Sequence, residues 1–105
     1  MLEDNRQSVR KVLRTKAELC LDNGTVEART LDIGIDGVGM MLPVPVTPGQ
    51  QGRVVINLYF GGKAHCVDVA VKVTYCVLSS GQFRAGFQFV RWEPAALGSL
   101  AAFLK

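Results

Sequence analysis

Apolar residues recur at every second position along most of the chain. Ala17, Leu19 and Leu21 alternate with Glu18 and Cys20 and stop at Asp22-Asn23-Gly24. Successive side chains on a strand point to opposite faces, so this pattern predicts a half-buried β-strand. Asn-Gly between two alternating runs is a strong hairpin signal. The run from Thr25 to Ile33 carries β-branched residues and leads into a glycine-rich stretch. Val38, Met40 and Leu42 predict a short strand, closed by Pro43, Pro45 and Pro48-Gly49. Val54, Ile56, Leu58 and Phe60 predict another, ended by the tight turn at Gly61-Gly62. Val67, Val69, Val71, Val73 and Tyr75 make the longest alternation, with Asp68 and Lys72 facing the other way. Ser79-Ser80-Gly81 turns the chain again, and Phe83, Ala85, Phe87 and Phe89 follow.

The pattern changes only at the two ends. Pro94 suits the first position of a helix, where its missing N–H costs nothing. Leu97, Leu100, Ala101 and Leu104 then fall at helical spacing. Residues 1–16 lack any period and crowd together Arg6, Arg10, Lys11, Arg14 and Lys16. They read as an arm leading into the first strand. Six short strands with turn signals between them favour a closed antiparallel barrel or a sandwich. The expected domain covers residues 17–105 and ends in a helix that caps one opening or lies across the sheet.

At 105 residues and 49% hydrophobic, the chain makes one domain with one thin core. Its formal net charge of +3 suits a small anion and falls far short of a surface that coats DNA or RNA. A barrel that binds single strands wants exposed aromatics along a basic groove, and Tyr59, Tyr75 and Trp92 are the only plausible platforms. No run approaches the length of a membrane-spanning helix, and the polar residues 2–16 do not resemble a signal peptide, so a cytoplasmic setting without membrane insertion is expected. Cys20, Cys66 and Cys76 are odd in number and lack CxxC spacing, and they read as reduced, semi-buried thiols. No metal site and no cofactor are expected. The lone His65 stands at a strand start with no nucleophile placed beside it, so catalysis finds no support.

Two short patterns stand out. One is Arg6-Gln7-Ser8-Val9-Arg10, an RxxxR on the basic arm. The other is Asp32-Ile33-Gly34-Ile35-Asp36-Gly37, where a strand runs into a glycine-rich turn. Taken singly, each reads as a solvated arm and a bulged hairpin. Arg10 and Arg14 also satisfy RxxxR, but Arg6 and Arg10 have the better spacing to the first hairpin.

In their order and context, the two patterns resemble the signature of PilZ domains, RxxxR followed after the first hairpin by (D/N)xSxxG. Val46-Thr47-Pro48-Gly49, Arg84-Ala85-Gly86-Phe87-Gln88-Phe89 and the final helix resemble the family as well, so the likeness runs over about residues 6–104. The resemblance implies a six-stranded antiparallel β-barrel with no catalytic activity that binds cyclic di-GMP. It implies a ligand site at Arg6, Arg10, Asp32, Gly34 and Gly37, with Arg14 and Asp36 as possible additions. Gly34 departs from the pattern, because the family places a serine there.

A guanidinium bonds two acceptors at once, on phosphate or on the O6/N7 edge of guanine, and it stacks on a base. A carboxylate at Asp32 would accept from the N1–H and N2–H₂ of a guanine. Gly34 and Gly37 would let the backbone approach the ligand and adopt positive φ. The arm would be loose without ligand and would close over it, relaying the change to an attached or partner protein. The resemblance suggests a host such as a cellulose synthase, a membrane glycosyltransferase with such a domain in its cytosolic part. The competing expectation is a degenerate module of the pilus-assembly kind that acts only through protein contacts.

Overall fold

The computed structural model describes residues 10–91 and 94–104. Seven strands and one helix follow in order: β1 (Arg10–Val12), β2 (Lys16–Leu21), β3 (Gly24–Gly34), β4 (Gly37–Leu42), β5 (Gln51–Phe60), β6 (Lys63–Ser79), β7 (Gln82–Arg91) and α1 (Pro94–Leu104). All pairings are antiparallel. They run β3-β2-β5-β6-β7-β4 and return to β3, a ring of six strands as the alternation predicts.

The seventh strand is an extension of this ring. β1 pairs with the far end of β3 on the side where β2 pairs with its near end. Val12 faces Asp32 and Lys16 faces Arg29, so residues 13–15 oppose only two residues of β3. That extra residue is a bulge. The buried Thr30 hydroxyl fills it, donating to the Leu13 carbonyl at 2.6 Å and accepting from the Thr15 amide at 3.0 Å. Strand pairing thus begins earlier than the alternation suggests: Arg10–Val12, read as part of a loose arm, are already a strand without ligand. Pairing rests on backbone groups, and Val12 is exposed, so no apolar period marks β1.

The inward face is apolar. Leu19, Ile33, Met40, Leu42, Ile56, Leu58 and Val67 are among the side chains fully removed from water. Such residues contribute about 1.5–3 kcal/mol each by burial. Beyond β7, α1 packs against β5 and β6. The face it buries differs from the expected one: Ala96 and Leu100 are buried, whereas Leu97 and Ala101 are exposed. Phe103 and Leu104 pack at the edge of the core. The Lys11 ammonium donates to the Phe103 carbonyl at 2.9 Å, tying β1 to the last turn of the helix.

The first hairpin turns on Asp22-Asn23, one residue before the expected Asn-Gly centre, and Gly24 opens β3 at φ 135°. Cys20 and Cys76 are half-buried and Cys66 is exposed, and all three are free thiols. Among the described residues no cluster of metal-ligating side chains occurs, and no helix is long and apolar enough to cross a membrane.

Candidate functional site

Two bulges re-aim side chains toward one patch of the outer wall. On β3, Ala28 and Thr30 point inward. Leu31 is then an extra residue, since Thr30 faces Met40 and Asp32 faces Gly39. The bulge moves Ile33 into the core and turns Asp32 outward. On β6, Val67, Val69, Val71 and Val73 point inward. Thr74 is the extra residue there, since Val73 faces Phe87 and Tyr75 faces Gly86. Tyr75 continues the period of two in sequence, yet the bulge puts it on the outside, 42% exposed. Bulges commonly serve this purpose beside binding sites.

The ladder registers line up a row across four strands. Asp32 faces Gly39, Gly39 faces Gly86, and Gly86 faces Tyr75. Two missing side chains leave a trough between a carboxylate and an aromatic ring. The trough opens into a cleft of ≈ 500 Å³, also lined by Arg10, Asp36, Gly37, Thr74 and Gln88. Space makes the glycines necessary. A Cβ on Gly39 would lie 2.7 Å from Asp32 Oδ1, one on Gly37 would collide with the Phe87 carbonyl oxygen, and one on Gly86 would collide with the Tyr75 ring. Gly34 and Gly37, expected to adopt positive φ, are not among the glycines that do.

Arg10 stands at one wall. Its backbone faces Gly34 in the β1–β3 ladder. Nη2 donates to Asp32 Oδ1 at 3.0 Å and Nη1 donates to Asp36 Oδ1 at 3.0 Å. Nη2 also reaches the Gly37 carbonyl at 3.5 Å. These groups are more than a third exposed, so each pair contributes about 0–1 kcal/mol to stability. Their effect is on position and charge. One guanidinium is held by two carboxylates, so this wall is locally acidic.

The structure therefore gathers Arg10, Asp32, Asp36 and Gly37 at one cleft and sets Gly34 beside Arg10. Arg14 is exposed in the bulge between β1 and β2 and does not line the cleft. Arg6 and Trp92 lie outside the described residues. The sequence pattern missed Gly39, Thr74, Gly86 and Gln88 as cleft residues. Tyr75 was noticed only as an aromatic platform, and the sole sign of its place here is that Thr74 and Tyr75 follow a clean valine alternation.

The PilZ domain family model matches residues 4–105. The chain belongs to the PilZ domain family. Sequence comparison with curated proteins found no match. Among solved structures, this PilZ domain resembles the Bacillus subtilis inhibitor of motility MotI/DgrA with a TM-score of 0.83 at 15% identity, over 97% of this chain and 49% of that one. It resembles YcgR of Escherichia coli in complex with c-di-GMP with a TM-score of 0.76 at 16% identity, over 94% and 44%. The PilZ domain of YcgR with c-di-GMP gives 0.75 at 15% identity, over 96% and 89%. The chain spans about half the length of MotI and of the longer YcgR chain. At these identities the likeness is one of fold. As a PilZ domain, the chain is a regulatory binding domain and not an enzyme.

Proposed function

We propose that this PilZ domain is a cyclic di-GMP receptor whose ligand lies in the cleft between Arg10 and Tyr75. The observation that carries the reading is the row Asp32-Gly39-Gly86-Tyr75 with Arg10 at its end. Three strand spacings make the row about 14 Å long, enough for a compact dinucleotide. Asp32 accepts from the N1–H and N2–H₂ edge of one guanine. Arg10 turns from its carboxylates to a phosphate or to a guanine O6/N7 edge. Arg6, the first arginine of the motif, supplies a second guanidinium, and Arg14 adds long-range positive charge. The Tyr75 ring offers a stacking face. Gly34 and Gly37 keep the backbone close to the ligand.

Ligand binding draws Arg10 away from Asp32 and Asp36. β1 is joined to α1 through the neighbouring Lys11, so the change is passed toward the C-terminal helix. The output is an attached or partner protein, with a membrane glycosyltransferase of the cellulose synthase kind as the named candidate, on its cytoplasmic side.

A second reading, a degenerate module acting by protein contacts, is favoured by Gly34 in the serine position and by the two carboxylates on Arg10. Calorimetric titration decides between them. Cyclic di-GMP should bind, while GTP and a short single-stranded oligonucleotide should not. Absence of any heat with cyclic di-GMP would leave the degenerate reading.

A further inference from the structure

The ring of strands leaves one long edge open. β5 pairs with β6 from Lys63 to Lys72 and then departs, its last link being the Val73 amide to the Gln50 carbonyl at 2.8 Å. β6 runs on to Ser79, bonded only to β7. Among the described residues, no strand covers the other side of Thr74–Ser79. The remaining free edges are guarded. That of β1 carries Arg10 and Lys11, and β5 beyond Ile56 has α1 packed against it.

The β6 edge has neither a charge nor a proline. Its residues are Thr74, Tyr75, Cys76, Val77, Leu78 and Ser79, and Val77 and Leu78 are 50% and 70% exposed. An open, apolar, uncharged edge presents unpaired N–H and C=O groups that invite another strand. We propose that this edge pairs antiparallel with the same edge of a second copy, forming a two-fold dimer.

The chemistry of the edge selects that occupant. Antiparallel self-pairing is what a two-fold axis produces, and it sets each residue near its own counterpart. A charged edge would then face like charge, and this one has none. The nearest flanking charge across the sheet, Arg84, stands opposite Val77 on β7. Its counterpart in the dimer would be three strand spacings away, about 14 Å, beyond the screening length at physiological salt. Exposed Val77 and Leu78 would gain apolar neighbours across the axis. The proposal does not depend on the nucleotide reading, because Val77 and Leu78 do not line the cleft.

Sedimentation equilibrium from micromolar to millimolar concentration tests it, together with hydrogen exchange of the β6 amides. The native chain should pass from monomer to dimer, with amides in Thr74–Ser79 gaining protection in parallel. Val77→Lys and Leu78→Lys place like charges across the axis, and each should stay monomeric with an unchanged circular dichroism spectrum. Both positions are exposed, so if one variant fails to fold, the other still decides. A native chain that is monomeric throughout overturns the proposal and leaves the edge to an extended segment of another protein. A dimer that survives both lysines overturns it by placing the interface elsewhere.

Discussion

Asp36 holds one arm of the Arg10 guanidinium at 3.0 Å while Asp32 holds the other. For a site proposed to take a dianion, this is an excess of negative charge. Coulomb repulsion between Asp36 and a ligand phosphate about 7 Å away comes to about 1 kcal/mol at an intermediate effective dielectric. Asp36→Asn keeps the shape and removes the charge. Cyclic di-GMP binding should tighten several-fold in calorimetric titration. A large loss would instead identify Asp36 as a direct acceptor from the ligand.

Arg10 itself should be indispensable. A bond to a charged group contributes roughly 1.5–3 kcal/mol, so Arg10→Ala should weaken cyclic di-GMP binding about tenfold or more. Arg10→Lys should not restore it, since an ammonium lacks the planar fork. The melting temperature should barely move, because the ion pairs of Arg10 are half-exposed. Unaltered titration by a chain with both Arg6 and Arg10 changed to alanine would place the site elsewhere.

The trough glycines separate binding from folding. Gly39→Ala presses on Asp32 Oδ1, the end of a short side chain that can move. The barrel should survive while cyclic di-GMP affinity falls. Gly37→Ala presses on the Phe87 carbonyl, which is fixed in the β4–β7 ladder. Overpacking of this kind costs about 1–3 kcal/mol, so Gly37→Ala should lower the denaturant midpoint. Equal stability of the two variants would contradict the assignment.

How legible this molecule is follows from what alternation can report. It reports which face of a strand is buried, so Val54 to Phe60 and Phe83 to Phe89 announce their strands. It cannot report a bulge, which is a matter of ladder geometry. Tyr75 therefore reads as core until the extra Thr74 turns it outward. Asp32 was found only through its motif, and the bulge at Leu31 that aims it was not. β1 is silent because its pairing uses backbone groups and its side chains straddle a polar site. Gly37 was rightly singled out for close approach, but its constraint is the Phe87 carbonyl and not a left-handed backbone.

Gly34→Ser should restore what the family pattern contains. Gly34 faces Arg10 across the ladder and is not at positive φ, so serine meets no left-handed penalty there. A neutral hydrogen bond is worth about 0.5–1.5 kcal/mol net, or up to roughly tenfold in affinity. Replacing glycine also reduces the freedom of the chain before binding. Titration should show tighter cyclic di-GMP binding. Weaker binding with an intact circular dichroism spectrum would mean that the hydroxyl is excluded from this buried position.

Thr30 links the fold to the site most directly. It is fully buried, and its hydroxyl joins the Leu13 carbonyl to the Thr15 amide across the bulge that separates β1 from β2. Thr30→Val keeps the volume and leaves both backbone groups without that partner. An unsatisfied buried polar group costs about 1–3 kcal/mol, so the denaturant midpoint should fall with an unchanged slope. The second effect is on position. Without its bridge, the chain at residues 13–15 has less to hold β1 in register, and Arg10 is carried by β1. Cyclic di-GMP affinity should therefore drop in a variant that leaves every cleft residue in place. Thr30→Ser keeps the hydroxyl and loses only a methyl, so it should recover the affinity even where it remains less stable than the native chain. If Thr30→Val binds as the native chain does, then the bulge fixes the fold alone and Arg10 is positioned by its carboxylates.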